Sequence, residues 1–172
     1  MSPEIADDIR ATVDEQVGPY ANEHRPLGAY AGLSVGFFAA FAAALAALEA
    51  SGRPIPERPP TRDIVLGALA TQKVSRLIAK DRVTSFIRAP FTRYQEGAGH
   101  GELSEEARGT GLRLALGELL ICPYCLAQWV AGGLTVGYVA APRTTRLLTA
   151  MWSAQAIADF VQLGYSAAEG QT

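Results

Sequence analysis

The chain has 172 residues, a net charge of −2 and 49% hydrophobic residues, with a mean hydropathy of +0.11. That length suits one domain, and the slightly acidic balance argues against nucleic-acid binding, which needs a basic surface. The first residues are acidic (Glu4, Asp7, Asp8, Asp14 and Glu15), so no secretory leader is expected, because a leader pairs a basic start with an apolar core. Arg outnumbers Lys thirteen to two and Ala is abundant, the usage of a GC-rich bacterial genome.

Residues 1–28 read as a short polar surface helix. Ile5, Ile9 and Val13 recur every four residues among charges, and Gly18-Pro19 ends the pattern. Residues 29–50, AYAGLSVGFFAAFAAALAALEA, carry a single charge, Glu49. A run of about 20 apolar residues is long enough to cross a bilayer, and this is the clearest candidate span; a buried helix of a soluble protein is the competing reading. Residues 51–62 hold four prolines, which exclude a helix.

Residues 63–80 open on Asp63 as a helix cap and place Lys73, Arg76 and Lys80 on one face. Such charges insert poorly alone, so a second span here needs its basic face covered by neighbours. Residues 81–115 are expected as a cytosolic loop: Arg82, Phe86, Arg88 and Phe91 suit the headgroup level, and the Gly- and Glu-rich stretch after Arg93 has little capacity for a core. Residues 119–140 form a third span, with Gly133 and Gly137 as a small-xxx-small pair for close helix approach. Pro142 turns the chain into a fourth, 146–166, in which Asp159 is the lone acid.

The expected architecture is therefore all-α: a polytopic transmembrane bundle of about four membrane-embedded helices over residues 29–167, preceded by the polar helix. Counting Arg and Lys by side gives eight with the N-terminus and long loop against five opposite. The basic side stays inside, which places both termini in the cytosol of a multi-pass inner-membrane protein.

Three of these helices carry a polar face. Glu118, Cys122, Cys125 and Trp129 form one stripe, Trp152, Gln155, Asp159 and Gln162 another, and Lys73, Arg76 and Lys80 the third. Lipid does not tolerate such faces, so they should point inward and pair; the expected pairs are Arg76 with Glu118 and Lys73 with Asp159. This network of Lys73, Arg76, Glu118 and Asp159 reads either as a polar pathway or as structural glue.

Cys122 and Cys125, in CPYC, are the only cysteines. The tetrapeptide matches glutaredoxin-like thiol enzymes, but that chemistry needs a helix N-terminus beside a strand–helix unit, and no second cysteine pair is present to pass electrons on. Two cysteines make half a zinc site, and His24 and His100 are remote in sequence, so no metal and no cofactor is expected. The plain reading has Pro123 in the first turn of a span and both thiols as small packing groups.

The segments TQKVSRLIAKDRVTSFIRAPF (71–91) and GELLICPYCLAQW (117–129) together resemble the bacterial family called domain of unknown function 1360. Arg76, Asp81, Arg88, Pro90, Phe91, Gly117, Glu118, Cys122, Pro123, Cys125 and Trp129 fit its pattern; Ala127, where the family has Gly, and Tyr124, where Trp is commoner, depart from it. The resemblance covers roughly residues 62–160. It implies a small membrane protein, in some cases from a sporulating bacterium, with no assigned activity. The reading that follows is a non-enzymatic scaffold, accessory or interaction module. Its partners would be the lipid bilayer and a membrane protein or a second copy of the chain, with no nucleic acid. A membrane thiol–disulfide oxidoreductase using Cys122 and Cys125, and a small transporter or ion-pathway component, are the alternatives.

Overall fold

The structure, a computed structural model, describes residues 25–170; the expected polar helix lies almost entirely outside the described residues. Helix α1 (Leu27–Ala50) is followed by the Pro-rich linker and α2 (Thr61–Lys80). A 3-10 turn (Arg82–Thr84) and the one-turn α3 (Ser85–Arg88) lead into an antiparallel hairpin, β1 (Thr92–Gly99) and β2 (Glu102–Ala107). Three helices complete the chain: α4 (Gly111–Ile121), α5 (Pro123–Ala140) and α6 (Pro142–Glu169).

Helix α2 is the centre, packed by α6 on one side and α5 on the other, while α1 lies against α4 and α5. The buried residues of α2 and α6 are small and hydroxylated: Ala70, Ser75 and Ala79 on α2, and Thr145, Thr149, Ser153 and Ala156 on α6. Ser153 Oγ donates to the carbonyl of Leu66 across the seam (2.7 Å), and Thr149 and Thr145 hydroxyls donate back into their own helix (2.9 and 3.0 Å). Small residues let helix backbones approach closely, the mode of association used where burying large side chains gains nothing. Large apolar groups accordingly point outward, including Val35, Phe38, Ile64, Leu147, Met151, Ile157, Phe160 and Val161.

Glycines mark the closest approaches. A Cβ on Gly132 would stand 2.9 Å from the ring of Phe37 on α1, and one on Gly137 2.9 Å from Thr145 on α6. Gly133 faces open space. The close-approach residues are thus Gly132 and Gly137, each toward a different neighbour, rather than the pair Gly133 and Gly137.

The four-span bundle expected from sequence is corrected by these helices. Among the described residues, α1 alone is long and apolar enough to cross a membrane; α4 and α5 pass together only if counted as one span, and they are bent by 85° at their junction. Helix α2 fails because Arg62, Asp63, Lys73, Arg76 and Lys80 lie within its 20 residues. Helix α6 is long enough but not apolar enough, because Thr149, Ser153, Gln155, Asp159 and Gln162 are spread along its middle. The assignment of both termini to one side rested on four spans and does not carry over. Nor is 81–115 a loop: β1 and β2 pair from Thr92↔Ala107 to Gly99↔Glu102. The turn Gly99-His100-Gly101 is built entirely at positive φ, which glycine permits at no steric cost.

What fixes the hairpin to the bundle is Arg88, whose side chain is fully buried. Its Nε donates to the buried Glu105 carboxylate of β2. Its Nη1 donates to Ile78 O (2.6 Å) and Thr84 Oγ1 (3.0 Å), and its Nη2 to Asp81 O (3.0 Å). Thr92 Oγ1, also buried, bonds Arg88 O (3.0 Å) and lies 3.2 Å from Glu105. Arg108 and Arg113 then donate to the carbonyls of Ala89 and Pro90, and α4 closes on this corner through Gly117, where a Cβ would be 2.6 Å from Phe91 O.

Two outcomes follow for thermal or denaturant unfolding of the purified chain. Glu105→Ala should cost about 3–5 kcal/mol by stranding a buried guanidinium, and an Arg88→Met/Glu105→Leu double variant should recover part of that loss; equal or greater loss in the double variant contradicts the pairing. Gly117→Ala should destabilise by ~1–3 kcal/mol because the obstacle is backbone, whereas Gly133→Ala should be neutral or stabilise by up to about 1 kcal/mol.

Candidate functional site

The residues singled out in the sequence fall into two places. Lys73, Arg76 and Asp159 line one cleft of about 330 Å³ at the hairpin end of the bundle, with Asp81, His100 and Glu102. Lys73 projects from α2 to donate to Asp159 of α6 (2.6 Å). Arg76, one turn on, makes a two-pronged contact with Glu102 at the start of β2 (2.6 and 2.8 Å), so its partner is the hairpin and not Glu118. Asp81 caps the 3-10 turn through Val83 N–H (3.2 Å), and Arg82 N–H donates to Gly101 O (3.0 Å), seating the turn of the hairpin on the end of α2. The cleft is lined by both signs of charge, and its two cations already hold carboxylates.

Glu118 stands apart, on α4 beneath the start of α1. Arg25 Nη1 reaches it at 3.1 Å and the Tyr30 hydroxyl donates to its other oxygen. Both partners come from the first residues of the described chain, so Glu118 fastens α1 to the rest.

Four residues beyond Glu118 the helix breaks. Cys122 has extended backbone (φ −102°, ψ 103°) and caps α5, its Sγ accepting the Cys125 N–H at 3.2 Å, with Pro123 at the first helical position. Proline is pre-shaped for that position and lacks the N–H that would be orphaned there. The expected continuous stripe Glu118–Cys122–Cys125–Trp129 is therefore split by the bend, and the cysteines lie at an exposed hinge rather than inside a span. Both thiols are free. Desolvation, then the neighbouring Cys122 thiol and the Glu118 charge, push the Cys125 thiol up to about 11. Trp129 leaves the polar set altogether: its ring meets Phe37 of α1 edge-on at 5.1 Å.

At the opposite end of the bundle sits an ion pair that the polar-face reading passed over. Asp63, buried at the start of α2, accepts from Arg146 Nε and Nη2 (3.0 and 2.8 Å). The Arg146 guanidinium holds the Asp63 carboxyl below its ordinary range, and the carboxylate raises Arg146 in turn. Tyr138 completes the site, its hydroxyl 3.0 Å from Thr149 Oγ1. Asp63 reads in sequence as the cap of α2, but α2 begins at Thr61 with Pro60 at its cap and Asp63 in its first turn; only the fold brings Asp63 and Arg146 together. Among the described residues no group of three or more His, Cys, Asp or Glu side chains is placed to hold a metal ion.

The raised Cys125 thiol predicts slow chemistry. With its pKa near 11 instead of 9.0, the thiolate fraction at pH 8 falls roughly 100-fold. Iodoacetamide labelling read by peptide mass spectrometry should therefore modify Cys125 far more slowly than a model thiol at pH 8, with the rate still climbing above pH 10. Labelling at the model rate contradicts this environment.

The family model for the protein of unknown function DUF1360 matches residues 66–165, the stretch from α2 through most of α6. A curated relative, the sporulation protein YjcA of Bacillus subtilis (strain 168), is 29% identical over 102 residues, 58% of this chain and 86% of that protein. No solved structure matches. Helix α1 and the Pro-rich linker lie outside the matched region, yet α1 reaches into it through Glu118 and Trp129. With its buried Arg88, its Gly117–Glu118 step and its CPYC hinge all inside a match that spans more than half its length, the chain belongs to the DUF1360 family of proteins of unknown function.

Proposed function

We propose that this protein is a membrane-anchored, non-catalytic interaction module, in which α1 is the anchor and the α2–α6 bundle with its hairpin presents the interacting surface. One observation carries the anchor. The most apolar window of α1 has a mean hydropathy of 2.0, yet only 6% of it is buried. A core helix of a water-soluble domain hides such a surface; leaving a continuous apolar face of this size in water is unfavourable. The helix is also a working part of the fold rather than a removable leader, since Phe37 fills the space at Gly132 and Arg25 and Tyr30 hold Glu118. A bacterial inner membrane and a partner that is a membrane protein or a second copy fit this surface.

The interaction role is supported by how the charges are used. Lys73, Arg76, Glu118 and Asp159 are each held by a fixed partner, the arrangement of residues that set the register of helices.

A second reading has one specific support. Cys122 Sγ sits at the N-terminus of α5 and accepts the Cys125 N–H, the position in which CxxC thiols become reactive. A thiol–disulfide role would use Cys122 as the attacking group and Cys125 as the resolving one.

Carbonate extraction of cells expressing the full chain tests the anchor. The protein should stay in the membrane pellet and keep its N-terminal residues by intact-mass measurement. A Phe38→Arg/Ala42→Arg variant, charged on the outward face, should shift to the soluble or degraded fraction. Recovery of the unaltered chain in the soluble fraction, or cleavage after α1, overturns the reading. Diagonal electrophoresis that traps a mixed disulfide at Cys122 would transfer support to the thiol role.

A further inference from the structure

An open groove of about 970 Å³ runs between α2 and α5. Its walls are Ile64, Ala68, Thr71, Ala127, Ala131 and Leu134; it is wide because most of these side chains are small. One end is closed by the linker prolines and Arg58, the other by Tyr124 and Arg76. From Pro60 to Arg76 the helical rise gives a length of roughly 24 Å. From these features we infer that the groove holds one acyl chain of an anionic phospholipid, with the lipid phosphate at Arg58.

The walls explain the class of occupant. Both helices satisfy their own backbone groups, so no row of N–H or C=O is offered along the groove and a bound peptide would find nothing to pair with its own backbone. An alkyl chain needs no such partners. One bilayer leaflet is about half of a roughly 30 Å hydrocarbon core, so the groove is long enough for the acyl chain of a single lipid.

The charges explain the headgroup. Arg76 is engaged by Glu102 and Arg146 by Asp63, so neither is available. Arg58 makes no hydrogen bond or ion pair with any described residue, and it stands on a linker stiffened by Pro56, Pro59 and Pro60. Arg53, which donates to Ala140 O, Arg62 in the first turn of α2 and Arg143 in the first turn of α6 stand at this end with Arg146, against Glu57 and Asp63, giving that rim a positive balance. Arginine is the residue suited to planar, two-pronged contact with phosphate. The rim also follows directly after the end of α1 at Ala50, where the headgroup layer lies if α1 spans. In that respect the inference rests on the anchor proposed above.

Native mass spectrometry of the full chain, released from detergent micelles, tests it, with palmitoyl-oleoyl phosphatidylglycerol and the matching phosphatidylcholine as probes. One phosphatidylglycerol per chain should be retained, preferred over phosphatidylcholine by roughly tenfold, because both offer Arg58 a phosphate but only phosphatidylcholine also brings a choline cation against the basic rim. Arg58→Gln, on the linker and outside the packed bundle, should bring that preference close to unity while leaving the melting temperature unchanged. Ala131→Trp and Ala68→Trp, filling the groove from opposite walls, should each abolish retention of both lipids. Absence of stoichiometric phosphatidylglycerol, an undiminished preference in Arg58→Gln, or retention in both folded tryptophan variants overturns the site. These readouts concern lipid choice and groove shape, so they fail separately from membrane extraction, which reads α1 alone.

Discussion

A guanidinium with no access to water needs each of its three nitrogens partnered, because an unpaired buried charge costs several kcal/mol. Arg88 meets that demand with a carboxylate from β2, carbonyls from the end of α2 and the turn after it, and a hydroxyl from Thr84. Those partners belong to three separate stretches of chain. Satisfying one side chain therefore fixes where α2 stops, how the Ala89–Phe91 corner runs and where the hairpin lies. The corner carbonyls then serve as acceptors for Arg108 and Arg113, and Gly117 brings α4 against them. The pair is a device for geometry more than for net stability, since buried ion pairs gain little over apolar packing.

The helices above this junction associate on a different basis. The buried residues of α2 and α6 are Ala, Ser and Thr beside the charged Asp63, with hydroxyls bonded to carbonyls, while many of the large apolar side chains, Ile64, Leu147, Met151, Ile157, Phe160 and Val161 among them, face outward. A water-soluble bundle does the reverse, because removing large apolar side chains from water is its main driving force. The inverted arrangement is what the anchor proposed for α1 would require, with apolar surroundings on part of the surface. The Pro-rich linker and the open groove between α2 and α5 lie on that same bundle, at the end where α1 terminates.

The charged residues divide by what they connect. Lys73 with Asp159 ties α2 to α6, Arg76 with Glu102 ties α2 to the hairpin, Arg146 with Asp63 ties α6 to the start of α2, and Arg25 with Glu118 ties the base of α1 to α4. Each joins elements that are neighbours in space and distant in sequence. Periodicity alone exposes the polar faces of α2 and α6, and Lys73 and Asp159 are the facing members of those two stripes. It assigns Arg76 to the wrong carboxylate because Glu102 lies in a segment that composition alone marks as loop. Gly, Glu and Gln make β1 and β2 unpromising as strands, and their pairing draws on Arg88, Thr92 and the glycine-flanked turn rather than on strand propensity.

Local chemistry determined several things outright. Apolar length set α1, four prolines set the linker, Pro142 marked a break in the chain, and the residues around Arg88 and CPYC carried the family. Periodicity could not reveal that Cys122 ends one helix and caps the next at an 85° bend, because a proline in the first turn and a proline after a break look identical along the chain. Nor does helical period by itself make a span, since α2 carries Arg62, Asp63, Lys73, Arg76 and Lys80 and falls short of the apolar length that α1 has. Which acid meets which base, and whether an arginine is buried or solvated, depends on distances between segments far apart in sequence; those distances exist only once the backbone has been folded around Arg88.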